Sequence, residues 1–226
     1  YIPFLEADIA PVLEASIRKD DHGNASFDIH QFGEVGFQRA HPLLTFRCLP
    51  NMPAYHVSVN FDIQGPYCVT YPGPAQLYSM FEEARAAIAA GHIDVALVGG
   101  VAAQSNFLVQ HHFARIAPPV DAATLRDAAA ILVLESETHA RRRGATIKGR
   151  LAAIRADYTP LGLAQLDGKR AEERINGEVV AEAEGLGPAH LAVEIARRLA
   201  EGIHRDVVKH ELTSRDGIRA ESRWML

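Results

Sequence analysis

The hydrophobic positions of this chain follow two kinds of spacing, which predict helices and strands. Apolar residues three and four apart, or long runs of helix formers, indicate helices. The predicted helices cover residues 4–19, 50–63, 75–90, 136–143 and 188–201. Short runs of β-branched, aromatic and other apolar residues indicate strands. The predicted strands cover residues 67–71, 94–98, 128–134 and 147–154, with two more over 207–224 around an Asp-Gly turn.

The region from residue 67 to residue 98 has the order of a βαβ unit: a strand, a turn, a helix and a second strand. Pro72-Gly73-Pro74 supplies the turn, and Gly91 ends the helix. The second strand is a short apolar run before Gly99-Gly100, which is typical of a strand buried on both faces. Residues 158–187 are rich in charge and glycine and predict a loop or a mobile excursion. The sequence therefore predicts an α/β fold.

Length and composition are those of an ordinary globular chain with one core. The 226 residues are 48% hydrophobic, and we expect a single domain over residues 1–226. The formal net charge of −5 argues against a nucleic-acid partner, because binding phosphates needs clustered Lys and Arg. The one dense basic run, 141–143, comes at the predicted end of a helix, where cations complement the helix dipole.

Cysteine content and hydropathy indicate the compartment. The two cysteines, Cys48 and Cys68, have no paired spacing and follow no signal peptide, which fits a reducing cytoplasm. No apolar stretch approaches membrane-spanning length, so we expect no membrane association. The chain opens with Tyr1 rather than methionine, and we expect that a leading segment was trimmed or lies outside this sequence.

The stretch from Gly65 to Gly100 carries several residues at fixed spacing. It reads GPYCVTYPGPAQLYSMFEEARAAIAAGHIDVALVGG. The residues that matter are Gly65-Pro66, Ala84, Gly91, Asp94 and Gly99-Gly100, all in one ungapped block. This block resembles the nucleophile region of the β-ketoacyl-acyl-carrier-protein synthases of the thiolase-like superfamily. Later segments resemble the same family: residues 127–135, His139-Ala140 and Arg143-Gly144-Ala145. The likeness covers roughly residues 42–157, and spacing constrains all of its parts at once.

In that family a cysteine stands at the start of a helix. The positive end of the helix dipole stabilises its thiolate, and backbone N–H groups can hold an oxyanion. The resemblance puts this position nine residues after Gly65, where the chain has Pro74. Proline offers no nucleophile and removes a backbone donor, so we expect no condensation by the usual route. Chain length factors, the cysteine-less partners in type II polyketide synthases, commonly carry glutamine there, and here Gln76 stands two residues later.

The resemblance also implies a fold, an interface and a pocket. The fold would be a thiolase-like layered half-fold, with a mixed sheet flanked by helices and a C-terminal β-hairpin. In the family, the strand before the nucleophile pairs with its copy in a second subunit. This implies an interface at Tyr67, Cys68, Val69, Thr70 and Tyr71. A dimer is also physically sensible, because an unpaired apolar strand edge invites aggregation. The vestigial pocket or acyl tunnel would be lined by Tyr71, Gly73, Pro74 and Gln76.

Three functions are compatible with these residues. The leading hypothesis is a non-catalytic, chain-length-factor-type subunit that forms a heterodimer with an active β-ketoacyl synthase. It would work with an acyl-carrier protein in fatty-acid or type II polyketide biosynthesis. One alternative is residual acyltransferase or decarboxylase activity on carrier-protein thioesters, using Cys68 or a histidine. Another is a homodimeric module that binds an acyl-carrier protein. We expect no cofactor and no metal.

The remaining candidate residues have simpler explanations. Cys68 lies in the middle of a predicted strand, so we expect a buried structural thiol. The side chains of His111-His112 would point apart on any regular element and lack zinc-site spacing. The segment Asp20–Asn24 lacks the acidic pattern of an EF-hand and predicts a solvated turn. His56 could face a partner or an acyl tunnel, but we expect a hydrogen-bonded core histidine.

Overall fold

The structure of the chain is a computed structural model, and it divides into two compact units. It describes residues 5–47, 49–70, 76–115, 119–158, 172–175, 178–182, 188–201, 207–213 and 218–225. The first unit comprises residues 1–69 and 103–115, and the second comprises residues 70–102 and 116–226. The single domain expected from the sequence stays a prediction.

The described residues form both helices and strands. The helices are α1 (Glu6–Ala15), α2 (Ile29–Gln31), α3 (Leu44–Arg47), α4 (Met52–Asn60), α5 (Gln76–Ala89), α6 (Phe107–Arg115), α7 (Glu137–Arg142) and α8 (Pro188–Glu201). The strands are β1 (Ile17–Lys19), β2 (Ala25–Phe27), β3 (Val95–Ala102), β4 (Ala128–Glu135), β5 (Arg150–Tyr158), β6 (Glu172–Ile175), β7 (Glu178–Glu182), β8 (Val207–Thr213) and β9 (Ile218–Met225). The predicted α/β class is confirmed.

The first unit begins with a helix and a hairpin instead of one long helix. Ser16 follows the last residue of α1, is fully buried, and donates its hydroxyl to the Val12 carbonyl oxygen over 2.5 Å. A π-helical turn packs against it closely, because any side chain at Gly36 would collide with the Ser16 hydroxyl. The chain then turns into β1, which pairs antiparallel with β2. The helix predicted over 4–19 is therefore wrong beyond Ala15.

The turn between β1 and β2 is the solvated turn predicted at Asp20–Asn24. The Asp20 carboxylate accepts backbone N–H bonds from His22 over 2.9 Å and from Asn24 over 2.8 Å. The Asn24 side-chain amide also donates to it, and these bonds lower the pKa of Asp20. Gly23 takes φ of +80°, a left-handed conformation that suits glycine. All of these residues are exposed.

Helices α5 and α8 form the centre of the second unit. Their predicted ranges, 75–90 and 188–201, are confirmed. Each helix buries one apolar face, with Leu77 and Phe81 on α5 and Leu191 and Ile195 on α8. Both helices pack on β3 and β4, and α5 also contacts β5 and β9. Helix α5 therefore touches two sheets, and burying each of its large apolar side chains contributes about 1.5 to 3 kcal/mol.

Strands β3 and β4 form a two-stranded antiparallel sheet with one covered face. The register runs from Val95 opposite Glu135 to Ala102 opposite Ala128. Val98 and Leu132 are buried in the core cluster, which includes residues of α5 and α8. The alternate positions are exposed: Val95, Leu97, Val101, Ile131 and Val133. Because side chains alternate between the two faces of a strand, the strand predicted as buried on both faces is buried on one only.

Gly99 is required for this pairing. It lies opposite Ile131, and a Cβ at this position would collide with the Ala130 carbonyl oxygen. The second glycine of the Gly99-Gly100 pair lies opposite Ala130. The close approach of the two backbones thus explains why a glycine occurs in the middle of an apolar strand.

The other sheet of the second unit has five strands in the order β5-β9-β8-β6-β7, and every neighbouring pair is antiparallel. The two predicted C-terminal strands are confirmed as β8 and β9, although their turn, 214–217, lies outside the described residues. Strands β6 and β7 fall inside 158–187, so the loop predicted there is wrong over both strands. Charge along a strand does not prevent pairing where one face of the sheet meets solvent.

Candidate functional site

The candidate site lies at the N-terminal end of α5. Gln76 is the first residue of the helix and is half-buried. Directly after it, Leu77 and Tyr78 are almost completely buried in the core cluster. The other predicted pocket residues, Tyr71, Gly73 and Pro74, lie in 71–75, outside the described residues. Of the four predicted pocket residues the structure therefore describes Gln76 alone, and the pocket stays a prediction.

The chemistry available at this helix end is that of a neutral polar group. The first turn, residues 76–79, reads Gln-Leu-Tyr-Ser and contains no thiol. The amide of Gln76 can donate and accept hydrogen bonds, but it cannot form a thioester with an acyl group. The end of α5 still carries the positive end of a helix dipole, which favours a partial negative charge there. The first turn of α5 can thus hold a carbonyl or a polar group but offers no thiol nucleophile.

An aromatic contact holds α5 against strand β9. Phe81 is completely buried and meets Trp224 of β9 edge to face, with ring centroids 5.4 Å apart and planes at 75°. The indole N–H of Trp224 donates to the Ser222 hydroxyl over 3.0 Å, so the only tryptophan of the chain is satisfied in the core. This contact ties the candidate site to the C-terminal strand.

The predicted interface residues lie in an exposed segment without strand pairing. Residues 67–70 have no regular secondary structure, and Tyr71 is outside the described residues. The strand predicted over 67–71 is therefore wrong for its four described residues. The side chain of Tyr67 is 74% exposed and that of Val69 is 40% exposed. Cys68 is also exposed, so the prediction of a buried structural thiol is wrong.

More apolar surface is exposed just before this segment. The residues concerned are Tyr55 and Val59 on α4, followed by Phe61 and Ile63. Asp62 lies between the last two and takes φ of +50°, which marks a tight turn after the helix. His56 is exposed beside Tyr55, with ring centroids 5.5 Å apart, so the core histidine expected there is wrong. Residues 55–69 thus present large apolar side chains to solvent, as interaction surfaces do.

A charged cluster joins the end of β4 to α7. The Glu135 carboxylate accepts two hydrogen bonds from the Arg143 guanidinium, at 2.9 Å from Nε and 2.5 Å from Nη2. His139 Nδ1 lies 2.6 Å from the same carboxylate. The hydrogen bonds from Arg143 and, to a smaller extent, from His139 lower the pKa of Glu135 to about 2. Ser136 caps α7 by accepting the backbone N–H of His139 over 3.1 Å.

This cluster gives a structural reason for part of the sequence resemblance. Glu135, His139 and Arg143 belong to the segments that resemble the synthase family. Their side chains hold the helix against the strand end, and they do not line the candidate site at α5 in any contact that the structure describes. We therefore assign them a structural role.

His190 is a buried residue that the sequence analysis did not single out. It lies in the first turn of α8, and its Nε2 is 2.8 Å from the Arg126 carbonyl oxygen. Because a carbonyl can only accept, this nitrogen carries the hydrogen. The only signal in the sequence is a histidine beside the apolar residues Ala189 and Leu191, which does not indicate its partner.

The described residues offer no metal site and no membrane span. They contain no group of three or more His, Cys, Asp or Glu side chains that could hold a metal ion. His111 and His112 are neighbours on α6, where adjacent side chains diverge. None of the helices in the described ranges is long and apolar enough to cross a membrane.

Comparisons with known proteins agree with this fold. Residues 19–124 match the family model described as "Beta-ketoacyl synthase, N-terminal domain". No curated protein matches the chain. Among solved structures, a chain of the AntDE:AntF (apo) complex is 16% identical, with a TM-score of 0.66 over 96% of this chain and 71% of that chain. That complex is described as a type II PKS acyl-carrier protein in complex with its ketosynthase bound to the hexaketide. Residues 19–124 are therefore similar to the N-terminal domain of β-ketoacyl synthases, and the chain has the fold of a ketosynthase.

Proposed function

We propose that this chain is a chain-length-factor-type subunit that pairs with an active β-ketoacyl synthase in cytoplasmic fatty-acid or type II polyketide biosynthesis. The proposal rests on the resemblance that puts Pro74 at the position of the family's nucleophilic cysteine, in a chain whose residues 19–124 match the β-ketoacyl synthase N-terminal domain. A subunit with the scaffold but without the nucleophile can shape an acyl tunnel while its partner performs the condensation.

The proposed contact with the synthase is the segment Tyr67, Cys68, Val69, Thr70 and Tyr71. Its support is the exposure of Tyr67, Cys68 and Val69, together with the apolar side chains exposed along 55–63. An exposed apolar segment costs free energy in water, and pairing it with a second subunit recovers that free energy. Aromatic residues such as Tyr67 are the side chains most often responsible for affinity in such interfaces.

Co-expression tests the pairing. We would express the chain with the intact ketosynthase from its own gene neighbourhood and separate the proteins by size exclusion with light scattering. The expected result is one peak with the mass of a heterodimer. Two separate peaks, each with the mass of a single species, would refute the pairing.

A matched pair of variants tests the position of the interface. Val69→Glu and Val35→Glu introduce the same charge at side chains that are 40% and 41% exposed. Only Val69 lies in the proposed interface, so its variant should weaken the heterodimer at least tenfold while Val35→Glu has no effect, because a buried unpaired charge is costly. Equal effects of both variants would show that the interface is elsewhere.

The proposed tunnel is lined by Tyr71, Gly73, Pro74 and Gln76. Gln76 supports this assignment, because it is half-buried at the first position of α5. Replacing it with leucine in the assembled heterodimer should change the length of the acyl products, which mass spectrometry measures. An unchanged product distribution, with the heterodimer intact, would remove Gln76 from the tunnel.

An acyl-carrier protein is the second proposed partner. The support is indirect, since the similar solved complex includes a type II PKS acyl-carrier protein. Titration of carrier protein into this chain alone, and into the heterodimer, separates two cases. Binding only to the heterodimer fits the proposal. Tight binding to a homodimer of this chain would favour a carrier-binding module that needs no synthase.

The exposure of Cys68 favours one competing function, acyl transfer by this chain itself. The Cys68 thiolate would attack the thioester carbonyl carbon and form a new C–S bond. The carrier thiolate would then leave and take up a proton. Intact mass measurement after incubation with acyl thioesters detects the adduct. An adduct that disappears in Cys68→Ser would replace our proposal, and an unchanged mass would support it.

A further inference from the structure

Positive charge is concentrated in one short part of this acidic chain. Residues 135–155 contain six Arg and Lys residues and two Glu residues, although the whole chain has a formal net charge of −5. The acidic excess of the protein therefore lies elsewhere. A local field of opposite sign to the rest of the molecule can orient a charged partner.

Two carboxylates gather three of the guanidinium groups. Glu137 Oε1 accepts from Arg141 Nε over 2.8 Å and from Arg150 Nη2 over 2.8 Å, which joins α7 to the start of β5. Glu135 is occupied by Arg143. The side chains of Arg141, Arg143 and Arg150 are about half exposed or more. The ion pairs thus hold these arginines in position, and the three guanidinium groups exceed the two carboxylates by one positive charge.

Other basic residues, close to them in sequence or in the sheet, have no acidic partner among the described residues. Arg142 and Lys148 are exposed, and neither has an ion pair with any residue in the described ranges. Arg223 of β9 is also exposed. It is two residues from Met225, which lies opposite Arg150, so Arg223 and Arg150 share one face of the sheet at diagonal positions. We call Arg141, Arg142, Lys148, Arg150 and Arg223 the basic surface.

We propose that the basic surface binds a carboxylate-rich face of a partner protein. Guanidinium groups pair with carboxylates through parallel N–H bonds, and the arginines held by Glu137 keep further N–H groups for this purpose. A nucleic acid is the weaker candidate, because its long phosphate backbone would extend beyond this patch onto an acidic protein. The proposal does not depend on pairing with a synthase.

The test uses the full chain and a fluorescein-labelled decaglutamate peptide as probe. Binding is followed by fluorescence anisotropy at low and at physiological ionic strength. The variant Arg142→Glu/Lys148→Glu changes two residues of the basic surface. The matched control Lys19→Glu/Arg39→Glu changes an exposed lysine and an exposed arginine of the first unit, so both variants alter the net charge equally. Circular dichroism confirms that both variants are folded.

The expected result is saturable binding that weakens with salt. Affinity should fall at least tenfold in Arg142→Glu/Lys148→Glu and less than twofold in the control. Equal losses in both variants would overturn the proposal, since only the net charge would then matter. Absence of binding to the wild-type chain at low salt would also overturn it. Tighter binding of a decathymidylate than of the peptide would assign the surface to nucleic acid instead.

Discussion

The contact between Phe81 and Trp224 allows a quantitative test of the second unit. The two rings connect α5, which begins at the candidate site, to the C-terminal strand β9. Phe81 is fully buried and Trp224 is 4% exposed, so both side chains report on the core. Replacing Phe81 with leucine keeps an apolar side chain but removes the edge-to-face contact. We expect the free energy of unfolding to fall by about 1 to 2 kcal/mol, which is less than the cost of Phe→Ala in a core.

A double-mutant cycle isolates the contact itself. The four proteins are the wild type, Phe81→Leu, Trp224→Leu and the double variant, and urea unfolding is followed by circular dichroism. The coupling energy between the rings should be about 0.5 to 1.5 kcal/mol. In a chain of this length, 1 kcal/mol corresponds to a shift of roughly 2 to 4 °C in the melting temperature.

Fluorescence gives an independent readout, because Trp224 is the only tryptophan. Its emission should be blue-shifted in the folded chain. In Phe81→Leu the emission should shift to longer wavelength only if the indole becomes more exposed to water. Phe37→Leu, at a side chain that is 66% exposed, is the matched control and should change stability by less than about 0.5 kcal/mol. A coupling energy near zero between two folded single variants would refute the packing of α5 on β9.

Two further predictions concern the sheet and the charged cluster. Gly99→Val should lower the free energy of unfolding by more than about 2 kcal/mol, because the new side chain collides with the Ala130 carbonyl oxygen. Gly33→Ala, at a position with open space, should change it little. Equal shifts of the melting temperature in the two variants would contradict this. The pKa of Glu135 is about 2 in the folded chain, below its ordinary value of 4.5. Its ion pairs therefore stabilise the fold fully above pH 4.5, and this stabilisation is lost as the pH falls towards 2. Glu135→Gln should therefore have a lower free energy of unfolding than wild type at pH 7, and this difference should shrink below pH 4.5. Glu137→Gln, at a more exposed carboxylate, should show a smaller loss of stability. A loss in Glu135→Gln that stays constant with pH would contradict the ion-pair explanation.

The candidate site was only partly predictable. The sequence singled out the start of α5, and Gln76 does lie there. The environment of Cys68 was misjudged, because its neighbours Tyr67 and Val69 are typical strand residues, yet the segment is exposed and unpaired. His190 was missed, because a local pattern cannot reveal a hydrogen bond to a carbonyl 64 residues away.

By itself, the sequence determined the elements whose signals are local. Helical spacing and good helix formers located α5 and α8, and apolar runs located β4 and the two C-terminal strands. It also determined that Pro74 stands nine residues after Gly65, and the match of this position to the family's cysteine stays a prediction from the resemblance.

Only the tertiary structure decided which surfaces are covered. The apolar strand β3 has one exposed face because α5 and α8 cover the other, and hydropathy cannot count the layers that pack on a strand. The first helix ends at Ala15, directly before Ser16, which is in close contact with Gly36 twenty residues later in the chain. Strands β6 and β7 form in a charged segment because β8 pairs with β6. In each case the deciding interaction joins residues that are distant in sequence, and a local pattern carries no information about such partners.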